Sequence, residues 1–293
     1  MPLRYLLAIA ALALAGPNLD RPVVDADPPL WVARDGDTAI YLFGSVHWLK
    51  DGTGWFDEAI RAAFEASDTL VLESIAPAPA QAQAETSDVG TITDGPPLPD
   101  RLPPGARAKL REALRSVGYA ETAFDRTEPW LAATSLSVLP LQKAGYSASY
   151  GVEAVLTDAA RSAGKPAVAL ESTRTQLGYF DALPEATQIA MLVRVLGGID
   201  AVVASNDRTV AAWSAGDVPA LRAIVADDMR QSSQAFADAI VDQRNARWAD
   251  WLARRMTTPG TVFVAVGAGH LVGPGDLVAR LRERGIHVER VRY

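Results

Sequence analysis

The chain contains short, continuous runs of apolar residues, and these runs limit its fold more than any other feature of the sequence. The clearest runs are Ala39–Val46, Thr69–Leu72 and Thr261–Val266. A strand with one face in water alternates apolar and polar residues, whereas a continuous apolar run is typical of a strand buried on both faces. Strands of that kind lie in sheets covered by helices, so the sequence predicts an α/β fold.

Helical and strand-like segments alternate around these runs in an order typical of βαβ units. The strand Leu30–Ala33 is joined to Ala39–Val46 by the turn-forming sequence Arg34-Asp35-Gly36-Asp37. Helical spacing of apolar residues covers Asp57–Ala66 and most of the chain from 106 to 255. The remaining predicted elements are strands at 166–170, 261–266 and 286–292, and helices at 172–182, 185–197, 199–214, 217–226, 229–255 and 274–284. We therefore expect an α/β core with a large helical insert.

A proline-rich segment at residues 76–105 interrupts this pattern. Seven of the 19 prolines fall there, which predicts that no regular element runs through it. Irregular segments of this length are uncommon inside compact domains and are usually lids, binding loops or disordered chain. We therefore predict a flexible loop at 76–105.

The first residues have the pattern of a secretory signal peptide. Arg4 precedes the apolar run Leu6–Ala15, and Ala13-Leu14-Ala15 supplies the small residues of a cleavage site. The run is shorter than the roughly 20 residues that a membrane-spanning helix needs. We predict a signal peptide at 1–15, one domain at 16–293, a periplasmic or secreted location and no stable membrane insertion. A membrane anchor or a buried helix is the alternative interpretation of the same run.

The overall composition excludes several classes of protein. The 293 residues are 49% apolar and 22% charged and include no cysteine, which is a globular composition with neither a disulfide framework nor a lipidation site. A formal net charge of −7 repels phosphate backbones, and no basic patch offsets it, so we expect no nucleic-acid partner. The sequence leaves the oligomeric state open.

Two of the three histidines follow apolar strands at the same spacing. His47 ends the sequence Gly44-Ser45-Val46-His47, and His270 ends Gly267-Ala268-Gly269-His270. The glycine permits a sharp turn at the carboxyl end of each strand, where α/β folds bind their ligands. Imidazole is a common metal ligand and a general base near neutral pH, so we expect two similar halves whose histidines share one site. Two unrelated structural histidines are the alternative.

Carboxylates end two further predicted strands, Glu73 after Thr69–Leu72 and Glu171 after Pro166–Leu170. If these strands run parallel to those that precede the histidines, all four side chains emerge at one edge of the sheet. Histidine and carboxylate together suit metal binding or water activation. A helix cap or a structural salt bridge is an alternative role for either carboxylate.

Arg244 is unusual in the predicted helix 229–255, because it falls in the middle of the apolar stripe, with Asn245 at its edge. A guanidinium that faces the core requires an anion, which a site carboxylate or a substrate oxyanion would supply. The alternative is that the stem packs while the guanidinium reaches solvent. The sequence Gly151-Val152-Glu153 is interpreted as the start of a helix rather than as a catalytic motif.

Together these motifs resemble the TraB/GumN family, which also includes the animal Tiki proteases. The resemblance covers the chain from about residue 30 to the C-terminus. Its motifs are Leu42-Phe43-Gly44-Ser45-Val46-His47, Val71-Leu72-Glu73, Gly151-Val152-Glu153, Gly164-Lys165-Pro166, Leu170-Glu171, Arg244-Asn245 and Val266-Gly267-Ala268-Gly269-His270-Leu271 with Gly273. Ser45 stands where many relatives have threonine, which also carries a hydroxyl.

The resemblance implies an α/β fold of the erythromycin-esterase/ChaN-like type and a secreted metal-dependent hydrolase, above all a peptidase, acting on a peptide or a small molecule. The ion would be divalent (Mn²⁺, Co²⁺ or Zn²⁺). The expected metal ligands are His47, Glu73 and His270, and the expected catalytic residues are Glu73, Glu171, Arg244 and Asn245. Two alternatives stay open: a metal-independent, esterase-like hydrolase with a histidine as base and Arg244 stabilising charge, and a non-catalytic protein that binds haem or a metal.

Overall fold

The computed structural model describes residues 24–293 as a mixed α/β fold, as the apolar runs predict, and the predicted signal peptide at 1–15 lies outside the described residues. The strands are β1 (Val24–Asp25), β2 (Leu30–Arg34), β3 (Thr38–Ser45), β4 (Leu49–Lys50), β5 (Thr53–Gly54), β6 (Thr69–Leu72), β7 (Tyr146–Ser147), β8 (Ala167–Ala169), β9 (Gly260–Gly267) and β10 (Val288–Arg290). The helices are α1 (Glu58–Glu65), α2 (Pro79–Gly90), α3 (Leu98–Arg101), α4 (Pro104–Ser116), α5 (Pro129–Lys143), α6 (Val152–Ser162), α7 (Thr173–Asp181), α8 (Glu185–Gly197), α9 (Val202–Ser214), α10 (Val218–Arg230), α11 (Gln234–Ala237), α12 (Gln243–Arg255), α13 (Ala268–Val272) and α14 (Leu277–Glu283).

The main sheet within residues 24–293 has the strand order β10–β2–β3–β9–β6–β8. β2 runs antiparallel to both of its neighbours, whereas β3, β9, β6 and β8 are parallel to one another. β3 and β9 pair along their whole length, from Thr38 opposite Gly260 to Ser45 opposite Gly267. The carboxyl ends of the four parallel strands therefore lie at one edge of the sheet, which is where an α/β fold places its ligands.

The central strands are buried as their apolar sequences predict. β9 is buried from Val262 onward, and β6 is buried from Leu70 to Leu72. β9 has a strand on each side, so an apolar residue at any of its positions meets other core residues. β8 lies at the edge of the sheet, and Ala167–Ala169 are exposed.

Residues 76–105 contain α2 and α3, so the prediction that no regular element runs through this segment is wrong. Pro79 is the first residue of α2, and Pro99 lies in the first turn of α3. Proline lacks an N–H group, but N–H groups in the first turn of a helix have no partner within the helix in any case. The prolines of this segment therefore begin helices instead of preventing them, as Pro104 also does in α4.

Most of the chain between β6 and β9 is helical. Trp213 in α9 anchors part of this helical region to the sheet, because its Nε1 donates to the carbonyl oxygen of Gly44 in β3 at 2.7 Å. Among residues 24–293, no single helix has the length and apolar character to cross a membrane. In this described part of the chain, α8 and Ile199–Ser214 meet the length and apolarity criteria when taken together, as a pair bent by 67°.

Candidate functional site

Four of the predicted site residues follow the parallel strands and lie at one edge of the sheet. Glu73 comes directly after β6 and Glu171 two residues after β8. His47 comes two residues after β3 and His270 three residues after β9. The four side chains therefore lie at the edge of the sheet where the parallel strands end. Helix α12 places Arg244 beside them.

The two Gly-x-x-His segments are not structurally equivalent, although the sequence predicts two similar halves. In the paired strands it is Ser45, not Gly44, that lies opposite Gly267, so the segments are offset by one residue. After β3 the chain bends at His47 and continues to β4, whereas after β9 it enters α13, which carries His270. The same sequence spacing thus leads to two different local structures.

Gly44 lies within β3 and does not form the predicted sharp turn. A Cβ atom at this position would lie 3.1 Å from the Cα atom of Ala268, which is closer than an ordinary van der Waals contact. The glycine therefore lets α13 approach β3 closely. The segment that contains His47 therefore makes room for α13, which carries His270.

Arg244 is the buried cation of the site, with a side chain that is 1% exposed. Its Nε and Nη2 donate to Oε1 of Glu171 at 2.9 and 2.6 Å, and Nη2 also donates to Oε2 of Glu73 at 2.5 Å. Nη1 donates to the carbonyl oxygen of Ile240 at 3.0 Å and lies 3.2 Å from Nε2 of His270. These contacts use all five N–H donors of the guanidinium. Arg244 therefore faces buried carboxylates rather than solvent.

The helical segment before Arg244 differs from the continuous helix predicted at 229–255. α10 ends at Arg230, α11 begins at Gln234, and a π turn at Asp238–Asp242 leads into α12. Ile240, whose carbonyl oxygen accepts from Arg244, lies in that π turn. Single π turns inside helices are frequent at functional sites, and this one contributes directly to the guanidinium's contacts.

Glu73 and Glu171 share Arg244, but their pKa values are shifted in opposite directions. Burial opposes ionisation of Glu73, yet the charge of Arg244, the two histidines and the N–H of Gly267 lower its pKa to about 2. Glu73 also accepts hydrogen bonds from the Gly267 N–H at 2.6 Å and from Nε2 of Gln176 at 3.0 Å. At Glu171 burial outweighs the effect of Arg244 and raises the pKa. Glu73 is therefore firmly ionised, and Glu171 is the carboxylate that accepts a proton more readily.

His270 is held as a neutral imidazole. Because Arg244 can only donate, Nε2 of His270 is the acceptor and Nδ1 carries the proton. Nδ1 lies 2.6 Å from Oδ1 of Asn245, whose Nδ2 donates to the carbonyl oxygen of Gly275 at 3.0 Å. Burial lowers the pKa of His270 to about 3, although the charge of Glu73 opposes the shift. The tautomer of His270 is therefore fixed by Arg244 on one side and Asn245 on the other.

His47 has the opposite electrostatic environment. Its Nδ1 lies 2.9 Å from Oε1 of Glu153, the second residue of α6. Burial would lower the pKa of His47, but the charge and hydrogen bonding of Glu153 raise it to about 9. Burial likewise opposes ionisation of Glu153, but His47 holds the pKa of that carboxyl below its usual value. His47 and Glu153 therefore form an ion pair at neutral pH.

Glu153 is the site residue to which the sequence interpretation gives no role: Gly151-Val152-Glu153 is among the motifs of the family resemblance, but it is interpreted as the start of a helix. The N–H of Val152 donates to the carbonyl oxygen of Val46 at 3.2 Å. A Cβ atom at Gly151 would lie 2.2 Å from the carbonyl oxygen of His47, so only glycine permits this approach. The start of α6 therefore packs directly on His47. The sequence signal for this contact is Gly151, two residues before the acidic Glu153.

The expected metal ligands His47, Glu73 and His270 interact electrostatically but are not arranged as a metal site. Within residues 24–293, no group of three or more His, Asp or Glu side chains has an arrangement that could hold an ion. Both oxygens of Glu73 accept N–H donors, and Nε2 of His270 faces Arg244. The guanidinium of Arg244 contacts both Glu73 and His270, so an ion would reach their donor atoms only after Arg244 moved away.

A cavity of about 70 Å³ lies beside His47 at the same edge of the sheet. Ser45, Ala268 and Gly269 also line it. Buried ionisable groups with shifted pKa values next to a cavity are typical of catalytic sites. The arrangement provides a protonated imidazole, an ionised carboxylate and a carboxylate of raised pKa within one cluster.

Comparisons with known proteins agree with the motifs. The sequence model of the TraB/PrgY/gumN family matches residues 29–290. The uncharacterized protein YbaP of Escherichia coli (strain K12) is 27% identical over 287 residues, which are 96% of this chain and 100% of YbaP. The YbaP protein of Shigella flexneri is also 27% identical over the same shares of both chains. No solved structure gives a significant match.

Proposed function

The chain belongs to the TraB/PrgY/gumN family, and we propose that it is a hydrolase that cleaves an acyl bond of a peptide or an ester at the carboxyl edge of the sheet. One observation carries the proposal: His47, which lines a cavity, belongs to a cluster of buried ionisable groups whose pKa values are pushed apart. His47 titrates at about 9, Glu73 at about 2 and His270 at about 3. Groups that differ in this way can supply a proton donor and a proton acceptor at the same pH.

In this proposal each side chain has a separate role in hydrolysis. His47, kept protonated at neutral pH by Glu153, donates its proton to the leaving group. Glu171, the carboxylate with the raised pKa, accepts a proton from the attacking water; the resulting hydroxide bonds to the acyl carbon, and the bond from that carbon to the leaving group breaks. Arg244 holds Glu171 in place and keeps Glu73 ionised. Asn245 fixes the orientation of His270 and supports the cluster without touching the substrate.

Metal-dependent peptidase activity is the second candidate, and the meeting of two histidines and a glutamate at one sheet edge favours it. When bound, a divalent ion would lower the pKa of a water molecule and polarise the scissile carbonyl. The present contacts of Arg244 with Glu73 and His270 favour the metal-independent reaction instead. The two candidates share the same cluster and differ in whether an ion is needed.

Hydrolysis of peptide libraries and of p-nitrophenyl esters by the purified protein tests the proposal. We expect turnover that resists a chelator, falls by roughly 10²–10⁴ in His47→Gln and persists in His287→Gln, which alters an exposed histidine. Turnover that a chelator abolishes and Mn²⁺, Co²⁺ or Zn²⁺ restores would select the metal-dependent candidate. No turnover together with a haem absorption band, or with tightly held metal, would overturn the hydrolase in favour of a binding protein.

We extend the proposal to the fold type and the location of the protein. An erythromycin-esterase/ChaN-like fold is consistent with the strand order and with active residues at the carboxyl edge. The signal-like sequence at 1–15 supports a periplasmic or secreted protein that begins near Gly16. N-terminal sequencing of protein from a periplasmic extract tests this, and a membrane-bound form that retains Met1 would contradict it.

A further inference from the structure

Helix α7 begins two residues after Glu171 and carries Tyr179, whose side chain is partly buried. The hydroxyl oxygen of Tyr179 accepts a hydrogen bond from Nη2 of Arg247 in α12 at 2.8 Å. We propose that Tyr179 is a positioning residue, which orients the carboxyl group of Glu171 to accept a proton from the attacking water. The inference rests on the proposed hydrolase function and adds a residue to its site.

Arg244 holds only one of the two oxygens of Glu171. Its Nε and Nη2 both donate to Oε1, whereas Oε2 is buried and has no partner at ordinary hydrogen-bond distance among residues 24–293. Two bonds to the same oxygen do not determine where the other oxygen points, and a buried acceptor without a donor is unfavourable. A second donor beside Glu171 is therefore needed to fix the orientation of the carboxyl group.

The hydroxyl of Tyr179 is suited to be this second donor. Because a guanidinium can only donate, the oxygen of Tyr179 is the acceptor in its contact with Arg247, and the hydroxyl proton is directed elsewhere. Burial raises the pKa of Tyr179, and the charge of Glu171 and its hydrogen bond with the hydroxyl add to this rise. At Glu171 burial raises the pKa, while Arg244 and the hydroxyl of Tyr179 oppose the rise. The hydroxyl therefore faces Glu171 and favours the ionised carboxylate that a general base requires.

Two arginines of α12 hold the ring of Tyr179. The guanidinium of Arg247 lies 5.1 Å from the ring centroid and that of Arg244 lies 5.9 Å from it, within the range of cation–π attraction. One turn earlier on α7, Nε2 of Gln176 donates to Oε2 of Glu73 at 3.0 Å. Helix α7 thus presents one polar side chain to each carboxylate of the cluster, and α12 fixes the one that faces Glu171.

Tyr179→Phe removes the hydroxyl and keeps the ring. We expect it to lower kcat for ester or peptide hydrolysis by about 10-fold or more, as the loss of a hydrogen bond to a charged group would, and to leave KM unchanged. Tyr41→Phe is the matched control: the Tyr41 hydroxyl also accepts from an arginine, Arg34, at 3.0 Å, but Tyr41 lies in β3, which two strands separate from β8. Arg247→Met should lower kcat less than Tyr179→Phe, and Arg247→Lys, which keeps a charged donor, should recover part of that loss. Circular dichroism checks that each variant is folded.

NMR of the full chain labelled with ¹³C at tyrosine Cζ tests the contact without turnover. The signal of Tyr179, identified by its loss in Tyr179→Phe, should shift at pH 7 in Glu171→Gln and in Arg247→Met, and should stay in place in Arg254→Met, which alters an exposed arginine of α12. A Tyr179 signal that does not respond to Glu171→Gln would overturn the positioning role, as would a Tyr179→Phe variant with the kcat of Tyr41→Phe or with a change in KM alone. A signal that responds as expected in a protein that hydrolyses no substrate would support the contact and overturn the proposed function instead.

Discussion

The two Gly-x-x-His segments have the same spacing in the sequence and opposite chemistry in the folded protein. His270 is 1% exposed, has both ring nitrogens engaged and has a pKa lowered to about 3 by burial. His47 is more accessible, lines a cavity, and has a pKa raised to about 9 by Glu153 in spite of its burial. The spacing places each histidine at the carboxyl edge of the sheet, but burial keeps His270 neutral and the Glu153 carboxylate keeps His47 protonated.

The partners differ because different helices reach the two segments. α12 brings the cation Arg244 to His270, and a cation disfavours protonation of a nearby imidazole. α6 brings the anion Glu153 to His47, and an anion favours protonation. On the His270 side, Arg244 and its partners form a hydrogen-bonded network in which every N–H of Arg244 is used. On the His47 side, His47 and Glu153 form one ion pair beside a cavity. We interpret the first as the fixed part of the site and the second as its reactive part.

Removal of Arg244 should have the largest effect, because it leaves Glu73 and Glu171 buried without a counter-charge. We expect Arg244→Met to lower the free energy of unfolding by roughly 3–5 kcal/mol. The measurement is urea unfolding, with Arg230→Met as the control, since the pair of Arg230 with Asp227 is exposed and should contribute at most about 1 kcal/mol. Equal losses in the two variants would show that the His270 side does not depend on a buried ion-pair network.

Gly151→Ala should cause the next largest loss of stability, and it acts on the contact between α6 and His47. The added Cβ would lie 2.2 Å from the carbonyl oxygen of His47, so α6 must move away, at a cost of roughly 1–3 kcal/mol. In Gly44→Ala the added Cβ would lie 3.1 Å from the Cα atom of Ala268, so the loss of stability should be smaller. Gly178→Ala in α7 has no atom within 4 Å of the added Cβ and should be neutral or stabilising, which makes it the control in thermal unfolding. A Gly151→Ala protein as stable as the control would contradict the close packing of α6 on His47.

The sequence predicts the positions of the site residues better than their partners. Polar residues directly after buried strands predict the shared edge that Glu73 and His270 reach, because parallel strands end together. The helical spacing around Arg244 also predicts that it faces the core, and it does so even though a π turn precedes α12. These predictions succeed because they depend on local periodicity and on strand direction.

Tertiary contacts account for what the sequence does not predict. Glu153 is far from His47 along the chain, and nothing in a helix-start motif indicates which strand end the helix approaches. A proline excludes a helix from its interior but not from its first turn, and the sequence does not show where α2 and α3 begin. Pro79 and Pro99 lie in those first turns, so their presence does not prevent the helices. The equal spacing of the two histidines suggests equivalence, but the one-residue offset between β3 and β9 appears only in the paired strands.

A pH series separates the two histidines without mutation. The stability contributed by His47 is complete below pH 6.5 and is lost as the pH rises through about 9, because the folded protein retains that proton longer. His270 acts in the other direction: stability falls as the pH drops from 6.5 toward 3, since the unfolded chain binds the proton first. Glu73 adds a loss between pH 4.5 and about 2.

We therefore expect stability to be greatest near pH 6.5, measured by urea unfolding from pH 4 to 10. Nitrogen-correlated NMR of the imidazoles should show a doubly protonated His47 and an Nδ1–H tautomer of His270 at pH 7, with exposed His287 as an internal reference. His47→Gln should remove the alkaline loss of stability and leave the acid loss in place. A neutral His47 at pH 7 would remove the contrast between the two segments.

Glu153→Gln gives the sharpest test of the comparison, because it changes the partner of His47 and leaves both histidines in place. Glutamine keeps the size and an acceptor oxygen but removes the largest charge that raises the pKa of His47. Burial and Arg244 are then opposed by Glu73 alone, so that pKa should fall well below 9. The pKa of His270, whose shift arises from burial and from Glu73, Arg244 and His47, should change far less. Both values can be read from one NMR titration, with Glu185→Gln, which removes an exposed carboxylate paired with Arg101, as the control. If His47 still titrates near 9 in Glu153→Gln, then a group other than Glu153 determines its charge, and helix α6 does not distinguish the two segments.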